Sequence, residues 1–156
     1  MAHDIEEAPV LFAYDGSDYA QNAIQRTARE LRPGRRAIVL TVWQLLGSFP
    51  AASLAIRLPE DLAGMVAEEA QKVAGEGANI ARRAGFEATP VVEEGDPVWQ
   101  HIVDAAERFD ASLIALGSHG RTGIGAVLLG SVAAAVARHT DRSVLIVHRP
   151  PADAAA

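Results

Sequence analysis

Short apolar runs alternate with helical patterns along the chain, and this alternation predicts its secondary structure. Five apolar runs bounded by turn residues are typical of buried β-strands, at 10–14, 37–43, 88–92, 112–116 and 143–148. Between them, apolar residues recur at the spacing of one helix face and predict four helices, at about 20–31, 62–84, 98–109 and 131–139. The segment 45–59 fits neither period, so we expect a lid, a binding loop or a partly disordered stretch.

Near-continuous apolar strands separated by helices predict a parallel sheet that is covered on both faces. Right-handed crossovers then place helices on both sides of a doubly wound α/β fold. Neither an internal repeat nor a linker interrupts the pattern, so we expect one domain over 1–156, with flexible tails at 1–7 and 151–156. Two details are testable: Asp96 is expected to cap the third helix ahead of Pro97, and Gly75 and Gly77 predict close packing or a kink in the second.

Charge and composition exclude several classes of function. The net charge of −6 argues against a basic nucleic-acid-binding face and against a polybasic membrane anchor. Cysteine is absent, which excludes disulfides, iron–sulfur clusters and a thiol nucleophile. The N-terminus does not resemble a secretory signal, and the most apolar stretch, 123–137, is shorter than the ~20 residues that span a bilayer. We therefore expect a soluble, cytoplasmic protein.

The glycine-rich stretch 117–131 is the strongest candidate for a ligand site. It follows a predicted strand, and in a parallel sheet ligands bind beyond the carboxyl ends of the strands. Glycine lets a ligand approach the backbone, and Gly130-Ser131 opens a helix whose free N–H groups favour an anion. The segment therefore predicts a phosphate cradle, and the alternative is a mobile loop before a capped helix.

Other phosphate and nucleic-acid motifs fit this stretch poorly. A Walker loop needs a lysine before Ser or Thr, and the only lysine is Lys72, in another helix. The dinucleotide motif that would start at Gly123 has Leu128 in place of its last glycine. The segment from Gly117 to Gly120 has the spacing of an RNA-binding KH loop but lacks basic residues at both middle positions.

The spacing Gly117-x2-Gly120-x9-Gly130-Ser131 resembles the nucleotide-binding signature of the ATP-binding branch of the universal stress protein family. The segments 10–17, 40–42 and 143–147 resemble the family's first, second and last strands, with Asp-Gly-Ser after the first. This resemblance implies an adenine nucleotide α-hydrolase-like sheet in the order 3-2-1-4-5. It also implies that a nucleotide lies across the ends of strands one and four.

The resemblance further implies a role for each residue around the base and ribose. Ala13 and Asp15 would border adenine and ribose, and Val42 would pack on the adenine ring. Leu116 and Gly117 would line the ribose side. Asp15 could also help to hold a metal, although Mg²⁺ is expected to arrive on the phosphates of ATP rather than in a protein cage.

On the phosphate side, the resemblance implies contacts made mainly by the backbone. The contacts come from a set of loop and helix residues, namely His119, Gly120, Gly130, Ser131 and Val132. Many ATP-binding members carry Ser or Thr where this chain has Ala133, so the preference for ATP over ADP or AMP stays open. Arg121 either replaces the missing contact or points to solvent.

These features favour a nucleotide-binding regulatory protein of the stress response, with no catalytic residues and no protein-held metal. The alternatives are a slow ATPase or other ATP-using enzyme of the same fold, and an interaction module that binds no nucleotide. His119 is expected to act through its backbone rather than as an acid or base, because no carboxylate partner is evident. Glu93, Glu94 and Asp96 are interpreted as a solvated strand end rather than a metal cluster.

The last strand predicts a homodimer. It is expected at the edge of the sheet, and its four central residues, Val144, Leu145, Ile146 and Val147, are too apolar to face water. The family resemblance implies that two chains pair along it.

Overall fold

The computed structural model describes residues 7–45, 60–121 and 129–149. The described residues form nine elements in strictly alternating order. They are β1 (Val10–Ala13), α1 (Asp18–Glu30), β2 (Arg36–Trp43), α2 (Leu62–Arg83), β3 (Glu87–Glu94), α3 (Val98–Arg108), β4 (Leu113–Gly117), α4 (Ser131–His139) and β5 (Ser143–Val147). The irregular stretch 46–59, the loop centre 122–128 and the outermost tail residues 1–6 and 150–156, on which further expectations fell, lie outside the described residues.

All strand pairs are parallel, and the sheet order is β3-β2-β1-β4-β5. The predicted fold class and strand order are therefore confirmed. The order reverses between β1 and β4, because the chain first builds outward to β3 and then returns to add β4 and β5 on the other side. This reversal is where an open parallel sheet leaves a crevice at its carboxyl end.

Helices cover both faces of the sheet, and β1 contributes to both cores because its side chains alternate. Phe12 packs in the core under α1 and α2, where its ring meets Phe86 edge to face at a centroid distance of 5.2 Å. Leu11 points into the opposite core, together with residues of α3 and α4 such as Ile102 and Val136. These side chains are almost completely buried, and each such burial stabilises the fold by about 1.5–3 kcal/mol.

Helix ends agree only partly with the local signals. Ser17 caps α1, and its Oγ accepts from Ala20 N at 3.1 Å. The expected cap at Asp96 is wrong: Pro97 is the N-cap residue of α3, and Asp96 Oδ1 instead accepts from Gln44 Nε2 at 2.8 Å. The carboxylate of Asp96, which the sequence pattern predicted as a helix cap, thus binds the side chain of Gln44, a residue distant in sequence.

None of the helices formed by the described residues is long and apolar enough to cross a membrane.

Candidate functional site

A cleft of about 330 Å³ opens at the carboxyl ends of β1 and β4, where the strand order reverses. All of the predicted site residues except Arg121 line it, namely Ala13, Asp15, Val42, Leu116, Gly117, His119, Gly120, Gly130, Ser131 and Val132. Arg121 lies instead on an adjoining cleft of about 600 Å³, which shares Asp15 and Val42 with the first. The structure thus brings residues from four separate segments of the chain to one place.

An apolar wall forms one side of the cleft. Val42 and Leu40 come from β2, Leu116 comes from β4, and α3 adds Val98 and Ile102. From the sequence, Val98 and Ile102 only mark the third helix, because they recur at the i, i+4 spacing of one helix face. Only the position of α3 beside the end of β2 shows that this face also borders the cleft. A flat apolar ring would be buried well against such a wall.

Asp15 joins the two loops that form the floor of the cleft. Its Oδ1 accepts from Ser17 N at 3.0 Å, and its Oδ2 accepts from Arg121 N at 3.1 Å. The two bonds hold the turn after β1 to the loop after β4, across 106 positions of sequence. The carboxylate of Asp15 therefore has a structural role that the family resemblance did not predict.

Three glycines of the loop lie where a side chain would collide with its surroundings. A Cβ on Gly117 would come within 2.6 Å of Tyr19 Cβ, and one on Gly120 within 2.8 Å of Asp15 Oδ2. A Cβ on Gly130 would come within 2.8 Å of the carbonyl oxygen of Ser118. The glycines therefore do more than permit flexibility: they let the loop, α1 and α4 approach one another closely enough to form the cradle.

The first turn of α4 points backbone donors at the cleft. Its N-cap is Gly130, which has no side chain that could accept from the first-turn N–H groups. Ser131, Val132 and Ala133 all line the cleft, and N–H groups at these positions have no acceptor within their own helix. Together with the positive end of the helix dipole, they form a site suited to an anion.

The segment after β4 is anchored by Ser118, which sequence reasoning missed. Ser118 is 1% exposed, its N–H donates to Val147 O at 2.9 Å, and its carbonyl accepts from Gly130 N at 2.8 Å. Its Oγ lies 3.0 Å from His119 Nδ1, and the His119 ring packs against the ring of Tyr19 at a centroid distance of 5.2 Å. A serine one position after a glycine gives no sequence signal for such a role, because the role depends on the course of the loop.

Tyr14 lines the base of the cleft, and its surroundings favour the neutral phenol. Burial raises the pKa of Tyr14 above its ordinary value of 10.0, and the nearby carboxylates of Glu76, Asp15 and Asp18 raise it further. Its backbone is held on both sides, because Tyr14 N donates to Leu40 O and Tyr14 O accepts from the Thr41 hydroxyl, each at 2.8 Å.

The acidic end of β3 is not a solvated strand end, which corrects that interpretation for Glu93. The Glu93 carboxylate is only 19% exposed and pairs with Arg108 and with His101 Nδ1, the latter at 3.3 Å. In the parts of the chain that the structure describes, no group of three or more His, Asp or Glu residues could hold a metal ion. Trp99 stacks on His139 at a centroid distance of 4.4 Å.

Comparison with known proteins reveals relatives along most of the chain. The sequence profile of the Universal stress protein family matches residues 8–148. Universal stress protein MJ0531 of Methanocaldococcus jannaschii is 34% identical over 91 residues, which make up 58% of this chain and 53% of that protein. A universal stress protein of Mycolicibacterium smegmatis is 32% identical over 154 residues, 94% of this chain and 47% of that protein. The chain thus spans about half the length of these curated relatives.

Solved structures share the fold. Hypothetical protein MJ0577 superimposes with a TM-score of 0.75 at 24% identity, over 94% of this chain and 99% of its own. A universal stress protein in complex with cAMP gives a TM-score of 0.60 at 26% identity, over 91% and 97% of the two chains. One from Archaeoglobus fulgidus in complex with dAMP gives 0.58 at 22% identity, over 90% and 96%. With its profile match extending over nearly the whole described chain, the protein belongs to the universal stress protein family.

Proposed function

We propose that the cleft binds an adenine nucleotide, ATP carrying Mg²⁺, and that the chain acts as a nucleotide-dependent regulatory module of a stress response. The observation that carries this proposal is the backbone cradle at the sheet's reversal point. There, Gly117 allows close packing on Tyr19 of α1, Gly120 on Asp15, and Gly130 on Ser118 beside the first turn of α4, which no side chain caps. Family members solved with cAMP and with dAMP support a ligand of the same chemical class.

The two sides of the cleft suit the two ends of such a ligand. The apolar wall around Val42, Leu116 and Ile102 would bury the adenine ring, while the first turn of α4 would receive the phosphates. A side chain in place of Gly117 or Gly130 would collide with neighbouring backbone, and one in place of Gly120 would collide with the carboxylate of Asp15. The residues present therefore fit a nucleotide.

Phosphate binding here would rest on backbone donors more than on cationic side chains. The stretch 117–131 contains a single basic residue, Arg121, besides His119, and the only lysine of the chain lies in α2. Among the described residues, Asp15 is the one carboxylate that lines the 330 Å³ cleft, and each of its oxygens already accepts from a backbone N–H. Mg²⁺ would therefore be held mainly by the phosphates, whose charge it neutralises.

A binding role is favoured over an enzymatic one by the same contacts. Among the described residues that line the cleft, the only carboxylate, that of Asp15, accepts from two N–H groups, and one nitrogen of the only imidazole, His119 Nδ1, is bonded to Ser118. Release of inorganic phosphate from ATP by the purified protein, above that of a heat-inactivated sample, would favour the alternative of a slow ATPase.

Equilibrium titration with ATP and Mg²⁺ tests the proposal. The wild-type protein should bind, and Gly130→Ala should lose at least about tenfold in affinity, because the new methyl would push α4 away from Ser118. Gly75→Ala is the matched control, since a Cβ there meets nothing within 4 Å and the site is untouched. Failure of the wild-type protein to bind at millimolar ATP, or equal binding by Gly130→Ala, would refute the proposal.

We also propose that two chains associate through β5. The strand lies at the edge of the sheet, so one row of its backbone groups lacks a strand partner among the described residues. Val144 and Ile146 pack partly against one core and Leu145 against the other, which leaves each of them incompletely buried. Pairing with a second copy would cover both the edge and this residual apolar surface.

A further inference from the structure

Ser118 occupies a rigid position between three elements. It directly follows β4. Its N–H donates to the carbonyl of Val147 at the end of β5, and its carbonyl accepts from the N–H of Gly130, the N-cap of α4. Its side chain is buried and lies 3.0 Å from Nδ1 of His119. Backbone hydrogen bonds on both sides therefore hold Ser118 in place, and its hydroxyl in turn fixes the imidazole ring of His119.

Either the Ser118 hydroxyl or His119 Nδ1 could donate the hydrogen bond that joins them, and burial favours the hydroxyl as donor. Every buried side-chain nitrogen or oxygen atom of the described residues has a hydrogen-bond partner, and the partner of the Ser118 hydroxyl is His119 Nδ1. If Nδ1 carried a proton and donated it, the hydroxyl hydrogen would be left in a buried place without an acceptor, which is unfavourable. The hydroxyl therefore donates to a bare Nδ1, and the proton of the neutral ring lies on Nε2.

His119 Nδ1 is occupied by the Ser118 hydroxyl, so Nε2 is the ring nitrogen that is available to a ligand. Nδ1 faces buried Ser118, the ring is flanked by Tyr19, and His119 itself lines the cleft beside the first turn of α4. Among the residues that the structure describes, Nε2 has no hydrogen-bond partner. An N–H donor next to a cradle for anions is placed to meet a negatively charged oxygen.

We propose that Ser118 is a positioning residue that fixes His119 as an Nε2–H donor to a phosphate group of the bound nucleotide. The proposal rests on the proposed function and deepens it, because it gives the His119 side chain a contact that the sequence assigned only to its backbone. The same contact would recognise any phosphate-bearing adenine nucleotide and would ignore the base and the ribose.

Affinities for ATP and for adenosine separate this role from a general effect on the cleft. Ser118→Ala and His119→Ala should each weaken ATP binding by about tenfold and leave adenosine binding unchanged, because adenosine has no phosphate. The double variant should lose no more than either single variant, since both remove the same contact. Ser143→Ala, which removes a hydroxyl from the exposed start of β5, is the control and should bind like the wild type.

The tautomer can be measured directly, without a variant that risks unfolding. Long-range ¹H–¹⁵N NMR spectra of the wild-type protein at about pH 8 should show His119 with a bare Nδ1 and a protonated Nε2. His119→Gln identifies the signals by their loss. A protonated Nδ1 in the wild type, or full ATP affinity in Ser118→Ala, would overturn the positioning role while the proposed function stands. If the wild type binds neither ATP nor adenosine, the proposed function itself fails, and this inference fails with it.

Discussion

Two glycines of α2, Gly75 and Gly77, are close in sequence but differ in their surroundings, and this difference allows a sharp test of how α2 packs. An alanine at Gly77 would place its Cβ 2.6 Å from Tyr14 Cδ1 and 2.8 Å from Val39 Cγ1, whereas an alanine at Gly75 would meet nothing within 4 Å. Both substitutions gain about 1 kcal/mol in helix propensity. Overpacking at Gly77 costs about 1–3 kcal/mol and offsets this gain, so the two variants should differ by that amount.

Urea denaturation followed by far-UV circular dichroism measures the difference. Gly75→Ala should raise the free energy of unfolding by about 0.5–1 kcal/mol, and Gly77→Ala should lower it or leave it unchanged. Equal slopes against urea in the two variants would show that the denatured state is not the cause. If Gly77→Ala stabilised the protein as much as Gly75→Ala, that result would contradict the close packing of α2 against Tyr14 at Gly77.

Three further predictions concern the stability of the fold at high pH, the affinity for the outer phosphates of ATP, and dimerisation through the edge strand β5. Because the folded state raises the pKa of Tyr14, its contribution to stability is complete below pH 10.0 and is lost as the pH rises toward the folded pKa. In unfolding measurements over this range, Tyr14→Phe should therefore lose stability less steeply than the wild type. An unchanged slope in Tyr14→Phe would contradict the assignment. Ala133→Ser should increase ATP affinity by about threefold and leave AMP affinity unchanged in titrations, as its new hydroxyl gains one hydrogen bond to an outer phosphate; equal gains for both would place the hydroxyl elsewhere. Ile146→Lys should convert a dimer into a folded monomer by sedimentation, with circular dichroism as the check on folding, and a persistent dimer would show that β5 is not the interface.

The fold could be predicted because its determinants are local. Each strand is an apolar run of the right length, and helical spacing between runs leaves little choice but a parallel sheet. Strand limits were less accurate: β3 was predicted at 88–92 but extends over Glu87–Glu94, because all eight residues pair with β2. The residues that the prediction missed are Glu87, Glu93 and Glu94, which pair with β2 although their acidic side chains give no apolar strand pattern.

Side-chain pairing in and near the site could not be read in the same way. Asp15 meets the backbone of Arg121 only because β1 and β4 are neighbours, and Glu93 meets Arg108 only because the chain turns back after β3 into α3, which packs against β2 and α4. The family resemblance located the glycines and the cleft-lining residues, since these follow a spacing. It did not indicate the hydroxyl of Ser118, whose contact is set by the path of one loop.

The position of β1 in the middle of the sheet has a consequence for how the chain is made. Val10 pairs with Ala37 on one side and with Leu113 on the other, so one edge of β1 stays open until β4 has left the ribosome. Such an open apolar strand favours aggregation during synthesis, and distant pairings form slowly. The ligand cleft is built on this late pairing and on α4, which follows it. A ligand bound there would stabilise the fold once α4 has been made and would give no help to a nascent chain that lacks α4.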